Sequence, residues 1–155
     1  MDPDKDLSPH FTIASALFSS TAARLGIDNT PTDEILANMR VAAAGMEQVR
    51  TLLGSLPIHV DSWYRCPALN KAVGGADDSE HMKGFAADFI IPPMKLCAII
   101  EAISVSPIQF DQLIYEFGRW VHGSFGPRMR RMILTAQHVP GQPTYVPFDP
   151  ERDTN

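Results

Sequence analysis

The order in which hydrophobic patterns follow one another constrains the fold of this chain more than any other feature. A capping threonine, an early proline and two acidic residues predict that a helix begins within 30–34. Hydrophobic residues then recur at helical spacing from Ile35 to Leu53, and Gly54 predicts the end of the helix. Shorter helices are predicted by similar signals at 11–18, 67–73 and 94–103.

Strand patterns are concentrated in the last third of the chain. Two earlier segments, 57–63 and 85–91, are predicted to be strands. Three segments rich in aromatic and β-branched residues follow, with glycine-containing turns between them, at 112–117, 120–125 and 131–137. Helices grouped early and strands grouped late predict an α+β fold with a mostly antiparallel sheet, whose last strands form a β-meander.

The length and composition predict one folded domain. The chain has 155 residues, and 45% of them are hydrophobic, which is enough apolar material for a core. We expect a single domain over 1–155, with loose Asp- and Pro-rich tails at about 1–7 and 147–155. Cys66 and Cys97 form no C-x-x-C pair and are expected to be reduced thiols.

The formal net charge of −5 argues against two classes of partner. Nucleic acids and membrane surfaces both require a basic face, so we expect neither. The cluster of Arg128, Arg130 and Arg131 is interpreted as the solvated rim of a hairpin, with a phosphate or acidic-polymer site as the alternative. The N-terminal segment lacks the pattern of a secretion signal, and no apolar run approaches the roughly 20 residues of a membrane helix, so we expect synthesis in the cytoplasm without a signal peptide.

The segment 79–88 contains the residues that point most clearly to chemistry. His81 and Asp88 are seven residues apart across a glycine, so a loop histidine and a strand aspartate can meet at one point. Imidazole nitrogen and carboxylate oxygen are both good zinc ligands, and a catalytic zinc usually takes three protein ligands. His122, on a predicted strand beside Trp and Ser, is the best candidate for the third. This spacing also occurs by chance, so unrelated polar residues remain an alternative.

These residues, in their order along the chain, resemble the zinc D-Ala-D-Ala carboxypeptidase family, which includes phage L-alanyl-D-glutamate endopeptidases and shares its fold with the hedgehog signalling domain. The segment 62–75 is similar to a Tyr-Arg-x-Pro-x-x-Asn motif of that family, and 11–12 and 110–114 are similar to its small phage-type members. The resemblance extends over about residues 8–137. The residues that match the metal-binding signature are Ser79, His81, Gly84, Ala86 and Asp88, followed by Trp-Val-His at 120–122.

The resemblance implies a role for each matched residue. His81, Asp88 and His122 are implied to bind one zinc ion. Arg65 matches the substrate arginine, which can bind a stem-peptide carboxylate or stabilise an oxyanion; a structural ion pair is the alternative. Ser79 and Tyr64 are expected to contact the substrate. A turn-stabilising hydroxyl is the alternative for Ser79, and a core aromatic for Tyr64.

The general base is where this sequence departs from the family pattern. Several relatives have an acidic residue three positions before the last ligand, and here that position is Arg119. The nearest carboxylates belong to Glu116 and Asp111, and we favour Glu116. A two-residue hairpin loop would turn Glu116 away from His122, whereas a three-residue loop over 117–119, or a bulge, would place both residues on one face.

The resemblance therefore implies a zinc-dependent peptidase that hydrolyses an amide bond in the peptidoglycan stem peptide. The bond could be D-Ala-D-Ala, L-Ala-D-Glu or a cross-link, and the sequence does not decide between a carboxypeptidase and an endopeptidase. A monomeric, endolysin-like enzyme is expected, with virion-associated delivery or a resident bacterial enzyme as alternatives. A non-catalytic, zinc-containing module that binds the cell wall or belongs to a phage structure is the alternative from another functional class.

Overall fold

A six-stranded sheet forms the centre of the computed structural model, which describes residues 1–139 and 142–155. The helices are α1 (Ile13–Leu17), α2 (Ser20–Leu25), α3 (Asp33–Leu52), α4 (Pro67–Ala72) and α5 (Leu96–Ser104), and a short 3-10 helix spans Glu80–Lys83. The strands are β1 (Asp6–Ser8), β2 (Phe11–Thr12), β3 (His59–Ser62), β4 (Ala86–Ile90), β5 (Gln112–Glu116), β6 (Trp120–Ser124), β7 (Met132–Val139) and β8 (Gln142–Pro147). The predicted α+β class is confirmed.

The strand order of the large sheet is β3-β4-β6-β5-β7-β8. Every neighbouring pair is antiparallel except β5 and β7, so the sheet is mostly antiparallel, as predicted. The prediction of a β-meander is wrong for its third strand. Both edges of β6 are already occupied, by β4 and β5, and β7 therefore adds to the free edge of β5 and runs parallel to it. The predicted hairpin turn at 126–127 is part of this crossover.

The two faces of the sheet have different roles because side chains alternate along each strand. The residues of one face are apolar and pack with α3 and α5 to form the core, including Phe89, Leu113 and Val121. Close packing of α3 against this face requires Gly45, since a Cβ there would lie 2.3 Å from the ring of Phe125. The other face remains open and carries the polar residues described below.

The long helix follows its predicted boundaries closely. It begins after Thr32, whose hydroxyl accepts a hydrogen bond from the backbone N–H of Ile35, and Gly54 follows it with a left-handed φ of +80°. The helix predicted over 11–18 starts later, at Ile13, because Phe11 and Thr12 pair with β1. Among the described residues, no helix combines the length and hydrophobicity that crossing a bilayer requires.

Both segments predicted to be loose tails are held by specific contacts. At the N-terminus, Arg40 donates hydrogen bonds to the carbonyl oxygens of Pro3 and Asp6, each at 2.6 Å. At the C-terminus, Asp153 is buried and accepts a hydrogen bond of 2.6 Å from the hydroxyl of Thr135 on β7. The tails therefore pack against the folded chain, because the buried hydroxyl of Thr135 and the half-buried guanidinium of Arg40 use them as hydrogen-bond partners.

We expect Asp153→Ala to lower the free energy of unfolding by about 1–3 kcal/mol, because the buried hydroxyl of Thr135 would lose its acceptor. Urea denaturation followed by circular dichroism measures the change. Glu151→Ala, at an exposed position two residues away, is the matched control and should change stability by less than about 0.5 kcal/mol. Equal midpoints for the two variants would show that the C-terminal contact contributes nothing to stability.

Candidate metal centre and its cleft

Three buried side chains that the sequence predicts to be metal ligands meet on the open face of the sheet. The Nε2 atom of His81 lies 3.2 Å from Oδ1 of Asp88 and 3.2 Å from Nδ1 of His122, and that Nδ1 lies 2.9 Å from the same carboxylate oxygen. In the part of the chain that the structure describes, this is the one group of three such residues close enough to share an ion.

Strand pairing places two of these side chains together. Asp88 of β4 is directly opposite His122 of β6, so both project from the same face. His81 comes from the 3-10 helix, whose end at Gly84 has a left-handed φ of +83°. A Cβ at Gly84 would lie 2.9 Å from the carbonyl oxygen of Ile35, so only glycine allows this turn to pack against α3.

A backbone contact determines which nitrogen of His81 is free. Its Nδ1 lies 2.6 Å from the carbonyl oxygen of Trp63, an acceptor, so Nδ1 carries the proton. The Nε2 atom then has an unshared electron pair directed at the site, the arrangement typical of a metal-binding histidine. The indole of Trp63 in turn donates to the carbonyl oxygen of Gly84, so Trp63 contacts the loop of His81 at two points.

Burial and mutual charge control the protonation of the three groups. Burial lowers the pKa of His81, which favours its neutral, metal-binding form. Burial opposes ionisation of Asp88, but the two histidines outweigh it and hold the pKa of Asp88 well below its usual range. Burial also acts against the charged form of His122, yet its hydrogen bond to Asp88 raises its pKa. The carboxylate therefore stays charged between two imidazoles.

The donor set fits one zinc ion. Two imidazole nitrogens and one carboxylate oxygen are the combination found in open, catalytic zinc sites, which keep a fourth position for water or substrate. With zinc bonds of about 2.0–2.1 Å in a tetrahedral arrangement, ligand atoms are separated by about 3.3 Å. The observed separations of 2.9–3.2 Å are close to that spacing.

Glu116 lies on the same face as His122, beside the metal centre. The loop between β5 and β6 has three residues, with left-handed φ values of +55° at Phe117 and +66° at Gly118, so Glu116 pairs with Trp120. This is the three-residue loop that was predicted to place Glu116 on the face of His122. Its Oε1 is 3.8 Å from Nδ1 of His122, and its Oε2 accepts a hydrogen bond of 2.7 Å from the indole of Trp120. Burial raises the pKa of Glu116.

Asp111, the other carboxylate considered as a base, is already engaged. It is fully buried and accepts two hydrogen bonds from the guanidinium of Arg130, at 2.7 and 3.0 Å, while Arg128 lies 3.3 Å away. The hydrogen bonds from Arg130 hold the pKa of Asp111 below its usual range.

The arginine cluster of Arg128, Arg130 and Arg131 makes contacts within the protein. Arg131 donates a hydrogen bond of 3.0 Å to the carbonyl oxygen of Ser104. Arg128 and Arg130 are also partly exposed, at 53% and 36% of their side chains, so the expected solvent exposure of the arginine cluster is found at these two residues. The expected hairpin is wrong, because the cluster lies on the crossover between β6 and β7, and each guanidinium has protein partners.

Arg65 lines the cleft without a partner of opposite charge. Within the described residues no carboxylate oxygen lies within 4.0 Å of its guanidinium, and its Nε has no hydrogen-bond partner. Its Nη2 is 3.5 Å from Oγ of Ser79, which also accepts a hydrogen bond from the backbone N–H of His81. Ser79 therefore stabilises the start of the 3-10 helix that carries His81, and it also contacts Arg65. Tyr64 is buried, with part of its surface on the cleft.

The open face of the sheet forms the floor of a cleft of about 1160 Å³ that contains all three metal-binding candidates. The loop 73–79 lines one side, and Tyr145 of β8 lines another. Tyr145 is not among the site residues that the sequence predicts. Its segment, Pro-Thr-Tyr-Val-Pro, has three consecutive β-forming residues, but the flanking prolines argue against a strand there.

Comparison with known proteins connects this arrangement to one family. The family model described as Peptidase M15 matches residues 9–124, well over half of the chain, and the match includes His81, Asp88 and His122. A zinc D-Ala-D-Ala carboxypeptidase from Streptomyces albus G is 36% identical over 66 residues, which cover 43% of this chain. The aligned part covers 26% of that carboxypeptidase, so the chain matches about a quarter of the relative's length.

We expect the purified protein to bind one zinc ion. His81→Ala, Asp88→Ala and His122→Ala should each weaken zinc binding by more than about 100-fold, because a direct ligand contributes more to metal affinity than the hydrogen-bond partners that orient the ligands. Elemental analysis after gel filtration measures the zinc content. His59→Ala, an exposed histidine on β3, is the matched control and should retain the metal. Normal zinc content in any of the three variants would remove that residue from the ligand set.

Proposed function

This chain belongs to the peptidase M15 family, and from that premise we propose that it is a zinc-dependent peptidase that hydrolyses an amide bond in the peptidoglycan stem peptide. One observation carries the proposal: a His-Asp-His set suited to zinc lies in an open cleft with a carboxylate beside it. The choice of substrate is supported by the name of the carboxypeptidase from Streptomyces albus G, which specifies D-Ala-D-Ala.

In this proposal His81, Asp88 and His122 hold the zinc ion. When bound, zinc would polarise the scissile carbonyl group and lower the pKa of a water molecule towards neutrality. Contacts within the protein fix the orientation of these three side chains before zinc binds. The carbonyl oxygen of Trp63 fixes the tautomer of His81, and the β4–β6 register fixes the other two side chains.

Glu116 is the general base in this proposal. Its carboxylate takes a proton from the attacking water and gives it to the leaving amine. The indole of Trp120 holds Oε2, so Oε1 remains directed towards the metal centre. Burial raises the pKa of Glu116 towards the range in which a carboxyl group can both accept and return a proton near neutral pH.

Arg65 is the proposed partner for negative charge on the substrate. A guanidinium that lines the cleft, with no carboxylate oxygen of the described residues within 4.0 Å, can donate to a stem-peptide carboxylate or to the oxyanion that develops during hydrolysis. Burial lowers the pKa of Arg65, but Asp88 and Glu116 act in the opposite direction, and arginine remains charged.

Mass spectrometry of defined muropeptides after incubation with the zinc-loaded protein tests the proposal. Release of free D-alanine would identify a carboxypeptidase, and cleavage after L-alanine or at a cross-link would identify an endopeptidase. If every muropeptide remains intact, the proposal is wrong and a non-catalytic wall-binding module is favoured. An endolysin role, phage-associated delivery, a monomeric state and the lack of nucleic-acid or membrane partners remain predictions of the sequence.

We expect Glu116→Gln to lower kcat by about 10²–10⁴-fold, the usual contribution of a general base, because the amide cannot accept the proton. Zinc content should stay unchanged, since Glu116 is not among the three ligand candidates. Glu101→Gln, an exposed glutamate on α5, is the matched control. If Glu116→Gln retains wild-type kcat, another group must accept the proton.

We expect Arg65→Ala to lower kcat/KM by about 10–150-fold, which corresponds to the roughly 1.5–3 kcal/mol of a hydrogen bond to a charged group. Arg65→Lys should restore only part of this loss, because an ammonium group cannot form the two parallel hydrogen bonds of a guanidinium. Steady-state kinetics on the cleaved muropeptide measures both variants, with exposed Arg24→Ala as control. Unchanged kcat/KM in Arg65→Ala would exclude contact with the substrate.

A further inference from the structure

The outer edge of the cleft is built by β8, a strand that lies beyond the segment matched by the family model. Strand pairing aligns four residues in one row across the sheet. Glu116 is opposite Trp120 on one side and opposite Ala136 on the other, and Ala136 is opposite Tyr145. Directly paired residues share a face, so Tyr145 lies on the face that carries Glu116, two strands away. Two strand spacings separate their backbones by about 10 Å.

The residue between them has a small side chain. Ala136 is 1% exposed and has the smallest side chain that a strand residue with a Cβ can have, so it does not separate Tyr145 from Glu116. In the neighbouring row, His122 is followed by Ile114 and Leu134, which form an apolar floor. A peptide that leaves the metal centre along this floor would reach the ring of Tyr145.

Tyr145 has the chemical properties of a ligand-binding side chain. It is a large aromatic residue that is 50% exposed although it lines a cleft. Burial raises the pKa of its phenol, and the carboxylates of Glu116 and Asp78 raise it further. The phenol therefore remains protonated at neutral pH and can donate a hydrogen bond, while its ring offers a flat apolar surface.

We propose that Tyr145 binds the substrate peptide at the outer end of the cleft, with its ring packed against the peptide and its hydroxyl donating to a carbonyl or carboxylate oxygen of the peptide. This inference rests on the proposed function, since it concerns the same cleft. At about 10 Å from Glu116, Tyr145 contacts a part of the peptide away from the scissile bond. Its contribution is therefore to binding and to the choice of stem peptide rather than to proton transfer.

Kinetics of two variants on a pentapeptide muropeptide tests this inference. Tyr145→Ala should raise KM by about 10-fold or more, because it removes both the ring and the hydrogen bond, and Tyr145→Phe should raise KM by roughly 2–10-fold through loss of the hydrogen bond alone. The values of kcat, zinc content and Tm should remain those of the wild type. Thr144→Ala is the matched control, since Thr144 is exposed on the same strand and faces the opposite side of the sheet.

An unchanged KM in Tyr145→Ala would overturn the inference, as would a fall in kcat without a change in KM. If Tyr145→Ala loses zinc or unfolds, Tyr145→Phe provides the result. Calorimetric binding of the same muropeptide to zinc-loaded Glu116→Gln, with and without Tyr145→Ala, separates this inference from the proposed function. Weaker binding without the tyrosine supports the inference even if the wild type hydrolyses nothing, and equal affinities or no binding at all would contradict it.

Discussion

The pairing of Asp88 with His122 across β4 and β6 is the constraint on which both the core and the metal centre depend. The next residues along the two strands, Phe89 and Val121, are also paired, and both are fully buried on the opposite face. A slip of one residue in this pairing would turn the ring of Phe89 towards solvent and the carboxylate of Asp88 into the core. The slipped state would be unstable, because apolar groups would be exposed and polar groups buried at the same time. The hydrophobic core therefore fixes the geometry of two ligand candidates before any metal binds.

The third ligand candidate, His81, is held in place by contacts outside the sheet. His81 is not on the sheet, and its position depends on Trp63, which is almost fully buried and contacts the loop through both its backbone oxygen and its indole. On the far side, Glu80 forms an ion pair with Arg128 from the crossover between β6 and β7. The loop is thus anchored to the core on one side and to the sheet crossover on the other, which keeps Nε2 of His81 in place.

The sequence predicts those parts of the site that depend on local pattern. The long helix and the strand of Asp88 are found where short-range signals place them. The three metal-binding candidates were grouped by the order of motifs that resemble one family, because their spacing alone also occurs by chance. The parallel position of β7 is different, because it depends on which sheet edge is free, and no local pattern contains that information. The loop at Phe117 is similar: a phenylalanine with positive φ is unusual, so only the assembled hairpin determines that Glu116 faces His122. Tyr145 was missed because its strand is recognisable only through its pairing with β7.

The distribution of charge suggests where the proposed peptidoglycan substrate would gain its affinity, namely from contacts inside the cleft. The chain carries a net charge of −5, so its surface does not attract an acidic wall polymer over long distances. Near the metal centre the balance differs, because the charge of Arg65, together with that of a bound zinc ion, exceeds the negative charge of Asp88 and Glu116. Such local charge acts over about 8 Å at physiological ionic strength. In the proposed function, a substrate that is not drawn in from a distance must be held by groups along the cleft, and the proposed contact with Tyr145 at its outer end would meet that need.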